Sequence, residues 1–170
     1  MFEPMIALAL AAAAVAAAST GILFQPGEWY RGLVKPRWTP PNIAFPIAWT
    51  LLYAMMVIAA FRVAAGLAGG DLPPGAEPFA VVGLCLWAAQ IVLNAMWSPI
   101  FFGAHRGRAG LVCICALWLA VAATLAAFAG ADAVAAALFV PYLAWATYAG
   151  ALNAAILRLN PPQAFHPHDA

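Results

Sequence analysis

Five apolar runs, spanning 5 to 24, 43 to 66, 78 to 102, 108 to 130 and 133 to 158, take up nearly the whole chain and constrain its fold more than any other feature. A helix crossing a bilayer needs roughly 20 mainly apolar residues, because hydrocarbon offers exposed backbone groups no hydrogen-bond partner. Each run reaches that length. With 66% hydrophobic and only 8% charged residues, the chain is far more apolar than a soluble domain. The 170 residues leave little for anything outside the membrane. The expected fold class is therefore an all-α membrane protein, a five-transmembrane-helix bundle forming one domain over 1–160. Beyond Asn160 the proline-rich stretch cannot continue a helix, so 161–170 is expected to be a short mobile tail.

The charges orient this bundle. If the spans alternate, Arg31, Lys35, Arg37, Arg106, Arg108 and Arg158 share one side, opposite Arg62, Glu3, Asp71, Glu77 and Asp132. If the membrane is an inner one, the positive-inside rule puts the first loop, third loop and C-terminus in the cytoplasm; it does not orient an outer-membrane protein delivered by another route. A net charge of +1 gives no reason to expect nucleic acid as a partner. The residues before the first run carry Glu3 and no Lys or Arg, and the run continues apolar to Phe24, so it is expected to remain as a span and not to be a cleaved signal. Cys85, Cys113 and Cys115 fall within apolar runs and read as small hydrophobes.

Glycine and proline density marks the second connection, from Gly66 to Pro78. The short third connection, 103–108, predicts that spans three and four are antiparallel neighbours. In span three Trp87, Gln90, Asn94, Trp97 and Phe101 recur at alternating intervals of three and four, on one helical face. Amides are unfavourable against lipid, so this face turns inward. Two readings fit: the amides join helices as packing glue, or they line a slot with Trp49 and Tyr53 of span two and Tyr142, Trp145, Tyr148 and Asn153 of span five. Ile114 is expected to face lipid. Ala146, Gly150 and Ala154 supply a close-packing edge, for another span or for a second copy of the chain.

The first loop, from Trp29 to Pro41, mixes rings, three cations and prolines and reads as a stiff lid at the membrane boundary. Its Arg31, Lys35 and Arg37 are placed to meet acidic ligand groups or anionic lipid. The spans hold no serine, histidine and acid set, so no firm catalytic residue is assigned. His105 reads as a solvated loop residue, and His166 and His168 as weak metal binders on a mobile tail, so no metal site is assigned.

Four segments resemble the TspO/MBR family of translocator and tryptophan-rich sensory proteins in order and spacing. They are the lid pattern Trp29-Tyr30 through Lys35-Pro36, Trp38 and Pro40-Pro41; Phe45-Pro46 through Trp49 to Tyr53; Gln90 through Asn94, Trp97-Ser98-Pro99 to Gly103; and Pro141-Tyr142 through Trp145 to Leu152-Asn153. The resemblance implies five transmembrane helices, a homodimer and a ligand site of Gly21, Tyr30, Trp38, Trp49, Tyr53, Asn94, Trp97, Trp145 and Ala149. It implies porphyrins, namely protoporphyrin IX and haem, as ligands and not as an obligatory cofactor, together with isoquinoline and benzodiazepine drugs. Trp49 and Trp145 match tryptophans linked in the family to light-dependent porphyrin breakdown, which makes them the candidate catalytic residues of an alternative, enzymatic reading. A porphyrin or sterol transporter is a further alternative. The family's cholesterol consensus is incomplete here, with Ala154 where tyrosine is expected. The short tail resembles bacterial sensory members.

Overall fold

The computed structural model describes residues 3–165. Five long helices, each apolar enough to cross a membrane, account for most of it: α1 (Glu3–Leu23), α3 (Ala44–Gly69), α4 (Glu77–Ser98), α5 (Gly107–Ala129) and α6 (Ala133–Leu159). A short α2 (Glu28–Gly32) interrupts the first loop, a π-turn over Pro99–Gly103 extends α4, and a 3-10 turn over Pro162–Phe165 follows α6. The described residues contain no strand. The predicted spans are thus all present, with ends displaced by a few residues.

Local chemistry sets most of these ends. Beyond Leu23, Pro26 cannot supply a ladder N–H, so α1 stops. α3 ends where Gly70 adopts φ 74°, the left-handed conformation glycine takes without penalty, and its N–H returns to the Gly66 carbonyl. Pro78 sits in the first turn of α4, where a missing N–H is harmless. Asp132 caps α6, its Oδ1 accepting from the Val134 and Ala135 amides at 2.8 and 3.0 Å. Burial alone would raise the Asp132 pKa. The Ala135 amide, the Arg62 guanidinium and the Val134 amide outweigh it and hold the carboxyl below its ordinary range.

Helix neighbours close a ring in the order α1, α3, α6, α5, α4 and back to α1. α4 with α5, and α5 with α6, pack as the short connections predict. The pairing of α3 with α6 joins parts of the chain far apart in sequence. Glycine permits close approach in the α4–α5 seam: a Cβ on Gly83 would lie 2.6 Å from the fully buried Phe128 ring. Large apolar residues such as Leu8, Val15, Val112 and Leu119 point outward, as expected of surfaces solvated by lipid.

One side chain and one segment of the bundle depart from expectation. Ile114 is buried and does not face lipid. It packs beside Gly150 on α6, where a Cβ would lie in ordinary contact 3.8 Å from Ile114 Cγ2, so the small-residue edge serves packing within the chain at this point. The proline-rich segment also turns back on the bundle. Phe165 is buried, and the Trp29 indole donates to the Ala164 carbonyl at 2.7 Å, so 161–165 are anchored where a mobile tail was expected. His166 and His168 lie outside the described residues.

Candidate functional site

The inward face of α4 carries a continuous polar chain through mid-bundle. Tyr53 on α3 donates its hydroxyl to Asn94 Oδ1 at 2.6 Å, and Asn94 Nδ2 donates to the Tyr142 hydroxyl on α6 at 2.8 Å. Tyr142 in turn donates to Gln90 Oε1 at 3.0 Å, while Trp87 Nε1 donates to the Met56 carbonyl at 3.0 Å. Gln90, Asn94 and Tyr142 are buried. This arrangement realises the packing-glue reading of both amides, and Tyr142, named from the sequence among the slot-lining residues of span five, is the hub that joins them. A tyrosine in mid-span, facing amides on another helix, was the available signal.

Above this network, toward the first-loop end, rings from α3 and α6 meet. Trp49 and Trp145 lie edge to face with centroids 6.4 Å apart, and Trp49 also tilts over Tyr53 at 5.5 Å. Phe45 meets Trp145 at 5.8 Å, Tyr148 meets Trp145 at 5.8 Å, and Trp38 meets Tyr148 at 5.5 Å. A second group stacks Trp97 on Phe101 at 5.1 Å, with Phe102 edge-on to both and to Tyr30. The π-turn at Pro99 helps set this register, because its wider winding changes how residues after 98 project from α4. The Trp97 indole N–H is buried with no hydrogen-bond partner among the described residues.

The first loop covers this end through three tethers. Asn160 grips Val34 twice, its Oδ1 accepting from the Val34 amide at 2.9 Å and its Nδ2 donating to the Val34 carbonyl at 2.8 Å. Tyr148 donates to the Trp38 carbonyl at 2.8 Å, and Trp29 is held by Ala164. The loop is folded more than its prolines predict. Lys35 Nζ donates to the carbonyls of Tyr30, Leu33 and Arg31, closing the end of α2, so this cation is engaged by backbone and is not presented to a ligand. Arg31 pairs with Glu28 at the surface, and Arg37 is exposed. Burial, with a smaller contribution from Tyr148, pushes the Tyr30 hydroxyl up in pKa, keeping it neutral at physiological pH. His105 is half-buried beneath Trp29, stacked at 4.3 Å, instead of solvated.

Of the nine residues predicted for the site, Trp38, Trp49, Tyr53, Asn94 and Trp145 are joined by direct ring or hydrogen-bond contacts through Tyr142 and Tyr148. Tyr30 and Trp97 belong to the neighbouring group around Phe101 and Phe102. Gly21 is exposed on α1, within 4.0 Å of Ser98 Oγ from the position of a Cβ, and Ala149 is half-buried one turn beyond Trp145. Phe45, Phe101, Phe102 and Tyr148 complete the ring cluster. Two cavities, of about 300 and 520 Å³, lie elsewhere and include none of the nine in their walls. Among the described residues no group of three or more His, Cys, Asp or Glu side chains is arranged to hold a metal ion.

Comparison with known proteins agrees with this architecture. The sequence profile of the TspO/MBR family matches residues 5–159. Protein CrtK of Rhodobacter capsulatus is 48% identical, over 88% of this chain and 89% of its own. The tryptophan-rich sensory protein of Cereibacter sphaeroides is 45% identical over 90% of each chain, and the human translocator protein 38% identical over 82% of this chain and 81% of its own. A match over nearly all of the five spans, with relatives of 38–48% identity along most of its length, places this chain in the TspO/MBR family.

Proposed function

We propose that this membrane protein binds a tetrapyrrole, protoporphyrin IX or haem, between α3 and α6 beneath the first loop, and that occupancy is its sensory signal. The ring cluster around Trp49 and Trp145 carries this reading. Flat indole and phenol faces, backed by the Tyr53–Asn94–Tyr142 chain, suit a planar and mostly apolar ligand. Entry from the first-loop end would release the Tyr148 to Trp38 bond and part the Trp38–Tyr148 ring contact that covers the cluster. Arg37, and Arg31 once freed from Glu28, then approach the ligand's carboxylates. His105 is covered by Trp29, so recognition rests on ring faces and carboxylates, not on iron ligation. The same slot would admit isoquinoline and benzodiazepine drugs. The name of one bacterial relative, a tryptophan-rich sensory protein, supports a sensory role, and the high identity to bacterial proteins supports a bacterial membrane; in an inner membrane the basic end would be cytoplasmic, and a homodimeric assembly belongs to the same proposal.

The test is a fluorescence-quenching titration of purified protein with protoporphyrin IX. Trp145→Ala and Asn94→Ala should weaken binding at least fivefold, whereas Leu119→Ala on the lipid-facing surface should not. Equal behaviour of all three would overturn the site. A second reading, light-dependent porphyrin oxidation with oxygen, is favoured by the direct Trp49–Trp145 contact. It predicts that Trp49→Phe and Trp145→Phe abolish illuminated turnover while binding persists.

A further inference from the structure

We propose that residues 160–165 form a strap that holds the first loop shut over the ring cluster, so that lifting the loop and releasing the strap are one event. That a tetrapyrrole drives this event rests on the function proposed above; the coupling itself rests on contacts within the chain.

Of the three tethers on the first loop, two come from this segment. Asn160 holds both backbone groups of Val34, and the Ala164 carbonyl accepts from the Trp29 indole at 2.7 Å. Trp29 lies within α2 and Val34 just beyond its end, so the strap pins the folded part of the loop at two points. The third tether, from Tyr148 on α6, lies outside the strap. Lifting α2 and Val34 from the bundle therefore breaks both pins together and strips the strap of its partners.

The strap is held to the bundle by one buried side chain. Phe165 is buried, while Pro161, Pro162 and Gln163 are exposed. The Phe165 ring lies over Gly107 so closely that a Cβ there would be 2.5 Å away, and it meets Trp29 edge-on at 6.0 Å. A crevice of about 300 Å³ lies beside it, with Pro162 and Phe165 in the same walls as Leu157 and Arg108, so packing around the strap is incomplete. A segment with so few buried contacts opens far more readily than the helices behind it. Pro161 and Pro162 fix φ, which lowers the entropy lost when Phe165 docks again.

Trp29 connects the strap to the ring groups. It stacks on His105 at 4.3 Å and meets Phe101 at 5.6 Å, and Phe101 stacks on Trp97 at 5.1 Å. Phe165, Trp29, Phe101 and Trp97 thus form a continuous run of rings from the strap to α4. A ligand that lifts the first loop withdraws Trp29 from this run and uncovers Phe165, so occupancy is displayed beyond the end of α6. The coupling is reciprocal: whatever factor strap release adds to ligand affinity, bound ligand takes from strap docking.

The experiment uses the full chain in detergent micelles, with amide hydrogen exchange and stopped-flow porphyrin quenching as readouts. Phe165→Ala removes the anchor, and Trp29→Phe removes the indole donor while keeping a ring. Phe79→Ala is the matched control, because that ring covers Gly130 in the same way at the opposite end of the bundle, 2.6 Å from the position of a Cβ. Without ligand, exchange across 28–35 should accelerate at least tenfold in Phe165→Ala and at least threefold in Trp29→Phe, with the cores of α3 to α6 unchanged. Protoporphyrin IX should associate at least fivefold faster with Phe165→Ala, and saturating porphyrin should speed exchange at Ala164 and Phe165 of wild type at least fivefold. Unchanged exchange across 28–35 in Phe165→Ala, or equal acceleration there in Phe79→Ala, overturns the strap whether or not porphyrin binds. An unchanged association rate, in a protein whose porphyrin binding still depends on Trp145, overturns it as well. Absence of porphyrin binding in wild type would remove the tetrapyrrole reading instead, and loop exchange in Phe165→Ala would then decide the coupling by itself.

Discussion

Replacing Tyr142 with phenylalanine removes one oxygen from the centre of the bundle and tests whether the polar chain there stabilises the fold. The ring is fully buried, so its packing against Trp49 and Phe139 survives the change. Lost are the bond from Asn94 at 2.8 Å and the bond to Gln90 at 3.0 Å. Asn94 keeps Tyr53 as a partner, but one of its N–H groups and the Gln90 oxygen are left without one. Side-chain hydrogen bonds between membrane helices average about 0.6 kcal/mol and reach about 1.7 kcal/mol. Two such bonds therefore place the expected destabilisation at about 1–3 kcal/mol, near the upper part because both abandoned groups are buried. Equilibrium unfolding in mixed micelles measures it, with Tyr148→Phe as the matched control, since its hydroxyl serves only the loop at the surface and should change stability by less than about 0.5 kcal/mol. A Tyr142→Phe effect no larger than that of Tyr148→Phe would refute a stabilising polar chain and leave the amides as ligand-facing groups only.

The Asp132 carboxyl, lowered in the folded state, contributes stability that is fully present above the ordinary carboxylate pKa and is lost as pH falls through the folded value. The thermal midpoint should therefore drop on acidification below about pH 4, and Asp132→Asn, which still caps α6 but no longer pairs with Arg62, should flatten this dependence. Asn160→Ala removes the two-point grip on Val34, so amide hydrogen exchange at Val34 and its neighbours should accelerate at least tenfold without a change in the cores of α3 to α6. Unaltered exchange would mean that the loop is held by Trp29 and Tyr148 alone.

How far the sequence reached can be judged from particular residues. Length and hydropathy determined five spans, because a bilayer imposes a minimum apolar run that few other folds require. Spacing determined that Gln90 and Asn94 face inward, since a charged or amide group against lipid is unfavourable and helical periodicity fixes which residues accompany it. Charge placement grouped the first loop, third loop and chain end, and the contacts of Trp29 with His105 and Ala164 bring those three segments together. What periodicity could not supply is which helix each face meets. The closure of the ring by α3 against α6 brings Trp49 to Trp145 across nearly a hundred residues, and only tertiary packing decides such a long-range pairing. The same holds for Lys35, whose charge suggested a ligand contact until folding gave it backbone carbonyls, and for Ile114, which packs into the α5–α6 seam beside Gly150. Local chemistry writes the rods and their polar stripes into the chain; the partners of those stripes arise from the mutual fit of side chains between helices, which no single helix encodes.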